Sequence, residues 1–133
     1  MRPIIVAMCL LTIAPAVEPQ TKPTQAELER WKAEGNTQVL ESAPCKKVNW
    51  LLESQGKDSE FRRMVGWWGR GFVEGTVAML DGPGGDAARA KVERFGLTVD
   101  VVAAHISAYC YAHPAETPWN AAGDLSLKAL GAN

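Results

Sequence analysis

The chain has 133 residues, 47% of them apolar, with 14 basic against 15 acidic side chains and a net charge of −1. A balance so near neutral, without a basic stripe or a run of like charge, argues against nucleic acid or an anionic membrane as partner. The length allows one domain and not two.

Residues 1–16 have the three parts of a secretory signal. Arg2 supplies the positive start, Ile4 to Ile13 the apolar run, and Ala14-Pro15-Ala16 the small residues before a cut at Val17. The apolar run is about ten residues, short of the roughly 20 that a membrane-spanning helix needs. Met8 is too large for the residue that precedes a lipoprotein cysteine, so Cys9 leaves with the signal. The expected compartment is the periplasm or the exterior, and losing Arg2 moves the net charge to −2.

Residues 17–24, with Pro19 and Pro23, predict a flexible arm. Thr24-Gln25-Ala26-Glu27 reads as a capping box opening a helix to about Glu34, with Leu28 and Trp31 inward and a stop at Gly35-Asn36. A second helix is expected from Ser42-Ala43-Pro44 to near Gly56, since proline is tolerated in a first turn.

Asp58-Ser59 then caps a long helix reaching Leu80. At 100° per residue, Phe61, Met64, Val65, Trp68, Phe72, Thr76 and Met79 fall in one stripe. Gly66, Gly69 and Val73 make a second strip beside it, ending at Leu80. Gly66, Gly69, Gly71 and Gly75 each cost up to about 1 kcal/mol against alanine inside a helix. Either another helix approaches this backbone closely or the helix is weak or kinked. Arg62, Arg63, Arg70 and Glu74 exclude it as a membrane span.

Asp81-Gly82-Pro83-Gly84-Gly85 is a break. It has neither a preceding strand nor a lysine to reach a phosphate, so it is a turn. Asp86 is the expected cap of a short alanine-rich helix ending near Phe95-Gly96. Thr98 caps the next, Val99 to Ala112, which stops at His113-Pro114. Thr117-Pro118 opens the last, with Trp119, Ala122, Leu125 and Ala129 on one side and Gly131 at its end. No segment alternates with period two. The expected architecture is therefore all-α: residues 25–133 as a small single-domain bundle of about five helices.

Without Cys9, the cysteines are Cys45 and Cys110, an even pair in an oxidising compartment, which predicts a disulfide. Cys45 shares a helix face with Val48 and Leu52, and Cys110 with Val99, Ala103 and Ile106. Two other readings use the same residues. Cys110-x-x-His113 with His105 offers thiolate and imidazole to a metal, though the spacing matches no closed four-ligand motif. A Cys–His nucleophile would need Cys110 as a free thiol. His105 and His113 otherwise read as surface or capping histidines.

No nucleophile motif, phosphate-binding loop or paired-carboxylate signature occurs, so neither an enzyme nor a cofactor is expected. Trp67 stands apart. It falls on the polar side of the long helix, with Arg63 at i−4, Arg70 at i+3 and Glu74 at i+7. An outward tryptophan between arginines is held by cation–π contact and is a type of residue enriched in binding hot spots. Its other reading is a cover for a neighbouring helix or loop.

Trp68-Gly69-Arg70-Gly71-Phe72-Val73-Glu74-Gly75 resembles the W-x-x-G-Y-x-x-G helix of the HdeA-like periplasmic proteins, with Phe72 where tyrosine is usual. His105-Ile106-Ser107-Ala108-Tyr109-Cys110-Tyr111-Ala112-His113-Pro114, followed by Ala121-Ala122 and Leu130, is similar to that family's second-cysteine segment and the amphipathic helix after it. The resemblance runs from Cys45 to Leu130. It implies a helical, single-disulfide periplasmic fold, a homodimer at neutral pH, and acid-stress chaperone action on unfolding client proteins. Gly96-Leu97-Thr98-Val99 through His113-Pro114-Ala115-Glu116 also resembles the immunity proteins that neutralise type VI secretion amidases, although that family's usual cysteines are absent here. That likeness implies a dedicated protein inhibitor. A third reading is an envelope module with neither activity.

Overall fold

The computed structural model describes residues 22–34, 39–80 and 85–131. The signal peptide, most of the arm, the Gly35-Asn36 stop and residues 81–84 of the break lie outside the described residues. Within them all regular structure is helical: α1 (Gln25–Glu34), α2 (Val39–Ser42), α3 (Cys45–Gln55), α4 (Glu60–Met79), α5 (Gly85–Phe95), α6 (Val99–Ala112) and α7 (Pro118–Leu130). The all-α class agrees with the sequence. The helix count exceeds the expected five, in part because α2 is too short to leave a periodic signature. No single helix among the described residues is long and apolar enough to cross a membrane.

Helix starts largely follow their caps. Glu27 N–H donates to Thr24 Oγ1 at 3.2 Å and Thr24 N–H to Glu27 Oε2 at 2.7 Å, closing the capping box both ways. Ser59 Oγ accepts from Arg62 N–H at 3.1 Å, and Thr98 Oγ1 from Val101 N–H at 3.2 Å. Two expected caps differ. Asp86 lies inside α5, which begins at Gly85. Thr117 precedes α7, but its hydroxyl donates to Asn120 Oδ1 at 2.6 Å and caps no backbone N–H. At the far end Gly131 takes the left-handed conformation (φ 72°) that lets the chain leave α7.

The start of α3 has no side-chain cap, because Pro44 precedes it. Its orphan donors are met from far along the chain: Cys45 N–H donates to the Glu116 carbonyl at 2.7 Å and Lys46 N–H to the Pro114 carbonyl at 3.0 Å. The α6–α7 connection thus caps α3 beside the Cys45–Cys110 disulfide, where the Cα atoms are 4.7 Å apart and both residues are fully buried.

The helix pair α4–α6 is the most extensive in the fold. The face α4 turns inward consists of Phe61, Val65, Gly66, Gly69, Val73 and Val77. The expected second strip of Gly66, Gly69 and Val73 is buried, as are Phe61 and Val65 of the main stripe, and the rest of that stripe is corrected. Met64, Trp68, Phe72 and Thr76 are half-buried along its flank, Leu80 is exposed, and Met79 is 82% exposed. The glycines explain the rotation. A β-carbon on Gly66 would sit 2.3 Å from the Val99 carbonyl oxygen, and one on Gly69 would sit 2.6 Å from both Ile106 Cδ1 and Val102 Cγ1. Helix α6 rests on the strip without side chains, so the strip is the centre of the contact. Gly71 and Gly75 face open space.

The core gathers Val48, Leu51 and Leu52 of α3, Val65 and Val73 of α4, Val102 and Ile106 of α6, and Ala121, Leu125 and Ala129 of α7 around the disulfide. Trp119, expected on the buried side of α7, is 54% exposed. Helix α1 joins from the side. Its Trp31 is buried with its ring 5.8 Å from that of Trp50, Lys47 Nζ stands 5.9 Å from the Trp31 ring, and Glu27 meets Lys46 Nζ at 3.3 Å.

Candidate functional site

The disulfide decides between the readings of Cys110. Its sulfur is bonded to Cys45 and fully buried, so it is neither a thiolate ligand nor a nucleophile in this state. The histidines are occupied elsewhere. His113 stacks on Tyr109 with ring centroids 4.4 Å apart, and its Nδ1 lies 3.6 Å from Glu116 Oε1. Tyr109 donates its phenolic hydrogen to Glu116 Oε2. Burial, reinforced by Glu116, pushes the Tyr109 hydroxyl up to about 12.

His105 sits one helical turn before Tyr109 and faces α7. Its Nε2 is 2.9 Å from Asp124 Oδ2, which Lys128 Nζ approaches from the other side at 2.8 Å. The two contacts converge on one carboxylate oxygen, which joins the α6 imidazole to the α7 ammonium. Burial and the Lys128 ammonium push the His105 imidazole below its ordinary range, against the opposing pull of Asp124. Burial alone would raise the Asp124 carboxyl, but Lys128 and His105 together hold it low. At neutral pH the seam therefore holds a neutral imidazole, a carboxylate and an ammonium. Sequence reading isolated His105 but not its partners. The i,i+4 pair Asp124 and Lys128 was visible as helix charge pairing, whereas its alignment with His105 needs the α6–α7 crossing.

Trp67 points outward as its wheel position requires and is 61% exposed. Arg70 lies over its ring, 5.7 Å from the centroid, and its Nε is fixed by Glu74 Oε1 at 2.8 Å. Glu74, Arg70 and Trp67 thus form a stacked unit on the solvent side of α4. Arg63 is exposed one turn earlier, and among the described residues it is Arg70 that the ring engages. The flank of α4 carries a second aromatic group. Trp68 and Phe72 have centroids 6.0 Å apart, and Phe72 meets Trp119 of α7 edge-on at 4.6 Å.

A shallow cleft between α4 and α5 has Val77, Ala78 and Val92 on its walls, with Glu74, Arg89 and Glu93 beside them. Glu74 is engaged by Arg70 and Arg89 by Asp86, so much of that charge is satisfied within the molecule. No group of three His, Cys, Asp or Glu side chains that could hold a metal ion occurs among the described residues. No family model, curated protein or solved structure matches the chain.

Proposed function

We propose that this protein is an exported holdase of the HdeA-like type, a stapled helical module that loosens in acid and holds unfolding proteins on apolar surface. The observation that carries this reading is where the outer helices are tied down. Helix α1 is tied to α3 through Glu27 and Lys46, and α7 to α6 through Asp124 with His105. The α6–α7 connection is tied through Glu116 with Tyr109 and His113. Each tie ends on a carboxylate, and acid removes the charge of all three. The disulfide is indifferent to protons and keeps the centre together, which favours a loosened compact state over a random coil.

The sign of the pH dependence follows from the native groups. The Thr24 backbone N–H and Lys46 hold Glu27 below its usual value, and Asp124 is low as well. Their stabilisation is present above the unfolded carboxylate range near pH 4 and is lost as pH falls through their native values. His105 is a base held low, so its contribution is complete above about pH 6.5 and declines as pH falls toward its native value. All three act in one direction, toward loosening in acid. Holding clients needs surface and no catalytic group, in keeping with a non-enzyme.

The test is suppression of aggregation of an unrelated acid-denatured client. Protection is expected near pH 2–3 at near-stoichiometric ratio and not at pH 7, with hydrophobic-dye binding over the same range. Equal protection by an unrelated small helical protein would remove the claim.

The stacked Trp67–Arg70–Glu74 unit favours a second reading, a dedicated binder such as an amidase inhibitor. A holdase spreads affinity over diffuse surface, so Trp67→Ala should leave fold and acid protection intact. In a dedicated binder the same change should weaken the partner by about 2 kcal/mol or more, roughly 30-fold. Trp68→Ala is the control. It is half-buried, so it should cost about 2–3 kcal/mol of stability, at or below the low end for a core tryptophan.

A further inference from the structure

We propose that α7 is the helix that leaves the bundle when Asp124 loses its charge between His105 and Lys128, and that the apolar face it uncovers is where an unfolded chain binds. This rests on the holdase reading and specifies its moving part. The first argument is covalent. The Cys45–Cys110 bond closes a loop over residues 45–110, which contains α3, α4, α5 and α6. Helix α7 lies beyond it, joined only by residues 113–117, so its departure stretches no cross-link.

The second argument is packing. Of the side chains α7 buries, Ala121, Ala122 and Ala129 are alanines, Ser126 is polar, and Pro118 and Leu125 are the larger apolar groups. Stabilisation scales with apolar area removed from water, so this face holds less firmly than the valines and isoleucine between α4 and α6. Leaving would expose Phe72, against which Trp119 is stacked, together with the part of the core that Ala121, Leu125 and Ala129 cover. The hinge falls at Thr117, because Pro114 and Glu116 stay bonded to the start of α3 through their backbone carbonyls.

The third argument is the cluster itself. From α7, Asp124 and Lys128 face His105; along α6, Tyr109 stands one turn on, bonded to Glu116. Helix α4 meets α6 with Gly66 and Gly69, and α3 meets it through the disulfide. The α3 cations Lys46 and Lys47 are directed at Glu27 and Trp31 of α1. Helix α5, which packs on α7, pairs its Arg89 with Asp86. With Asp124 ionised, one carboxylate holds both His105 and Lys128. With it neutral in acid, an imidazolium and an ammonium face each other across the α6–α7 seam and repel. Asp124 Oδ2 lies between the two cationic groups, 2.9 Å from His105 Nε2 and 2.8 Å from Lys128 Nζ, so losing its charge leaves nothing to separate them.

The test follows amide-hydrogen exchange of α7 relative to α6 in the oxidised full-length protein, from about pH 7 to about pH 3. Protection of residues 118–130 should be lost at a higher pH than protection of α4 and α6. His105→Gln removes one cation and should lower the α7 midpoint by about 0.5 pH unit. Asp124→Asn leaves both cations without their carboxylate and should raise it. The double variant should lose that upward shift.

Loss of α7 and α6 protection together, or a midpoint indifferent to His105→Gln and Asp124→Asn, would overturn the proposal. Aggregation of an acid-denatured client is measured on the same samples. Clients protected while α7 stays closed would overturn the latch and leave the holdase standing. An open α7 with unprotected clients would overturn binding at the uncovered face and the holdase reading, and leave the latch.

Discussion

Gly66 and Gly71 lie five residues apart on one helix and have opposite consequences. At Gly66 a methyl group would meet the Val99 carbonyl oxygen at 2.3 Å and Val99 Cγ1 at 2.6 Å, and a backbone atom cannot step aside. Gly66→Ala should therefore destabilise by about 2–3 kcal/mol, in the range of core overpacking. At Gly69 the neighbours are the side-chain ends of Ile106 and Val102. These can re-orient, so Gly69→Ala should cost less, about 1–2 kcal/mol. At Gly71 and Gly75 the space is open, and alanine should stabilise by about 0.5–1 kcal/mol through helix propensity alone. Denaturant unfolding of the four variants checks the series. A uniform sign across them would mean that α6 does not rest on this strip. The sequence set Gly66 and Gly69 with Val73 in a strip apart from Gly71 and Gly75, but it ranked that strip beside the main stripe, because an apolar wheel scores side chains and the decisive contact is made where there are none. The same blindness misplaced Met79 and centred the stripe on Trp68 when α4 buries Val65, Gly69 and Val73.

At the scale of elements, what was legible was whatever is encoded within a few residues. The caps of α1, α4 and α6 are local hydrogen bonds donated by a backbone amide to the hydroxyl oxygen three residues before it, and each was visible as Thr24, Ser59 or Thr98 before an amphipathic run. The stops of α3 at Gly56, of α5 at Gly96 and of α7 at Gly131 were equally local. The start of α3 was placed correctly by Pro44, yet its cap was not readable, because the acceptors Pro114 and Glu116 lie in a distant connection. Helix α2 is four residues long and too short to repeat a pattern. The α6–α7 seam stands between these cases. Asp124 and Lys128 are a local pair, and His105 and Tyr109 are one turn apart on α6. Only the crossing of the two helices makes them one electrostatic unit, and crossing is a tertiary fact.

For the molecule as a whole, the expectation of one all-α domain around a single disulfide rested on two long-range inferences: amphipathic runs without strand alternation, and an even cysteine pair once Cys9 is set aside. The structure joins Cys45 and Cys110 across 65 residues of sequence, with both fully buried. Chain entropy assigns such a loop about 4 kcal/mol, and removing a native bond of this kind typically costs 2–5 kcal/mol. Replacing both cysteines with alanine should lower neutral-pH stability by about that amount. The consequence in acid is larger in kind. With the bond intact, losing the carboxylate ties frees α1 and α7 while α3 through α6 remain joined, so helical signal should outlast side-chain packing as pH falls. Without the bond only core packing holds α3 against α6 once α7 has left, and helical signal and packing should vanish together. Far- and near-ultraviolet circular dichroism followed through an acid titration separates the outcomes. Two distinct midpoints are expected for the oxidised protein and one for the double alanine variant. Coincident midpoints in both would show that the covalent loop does not define the part of the molecule that survives acid.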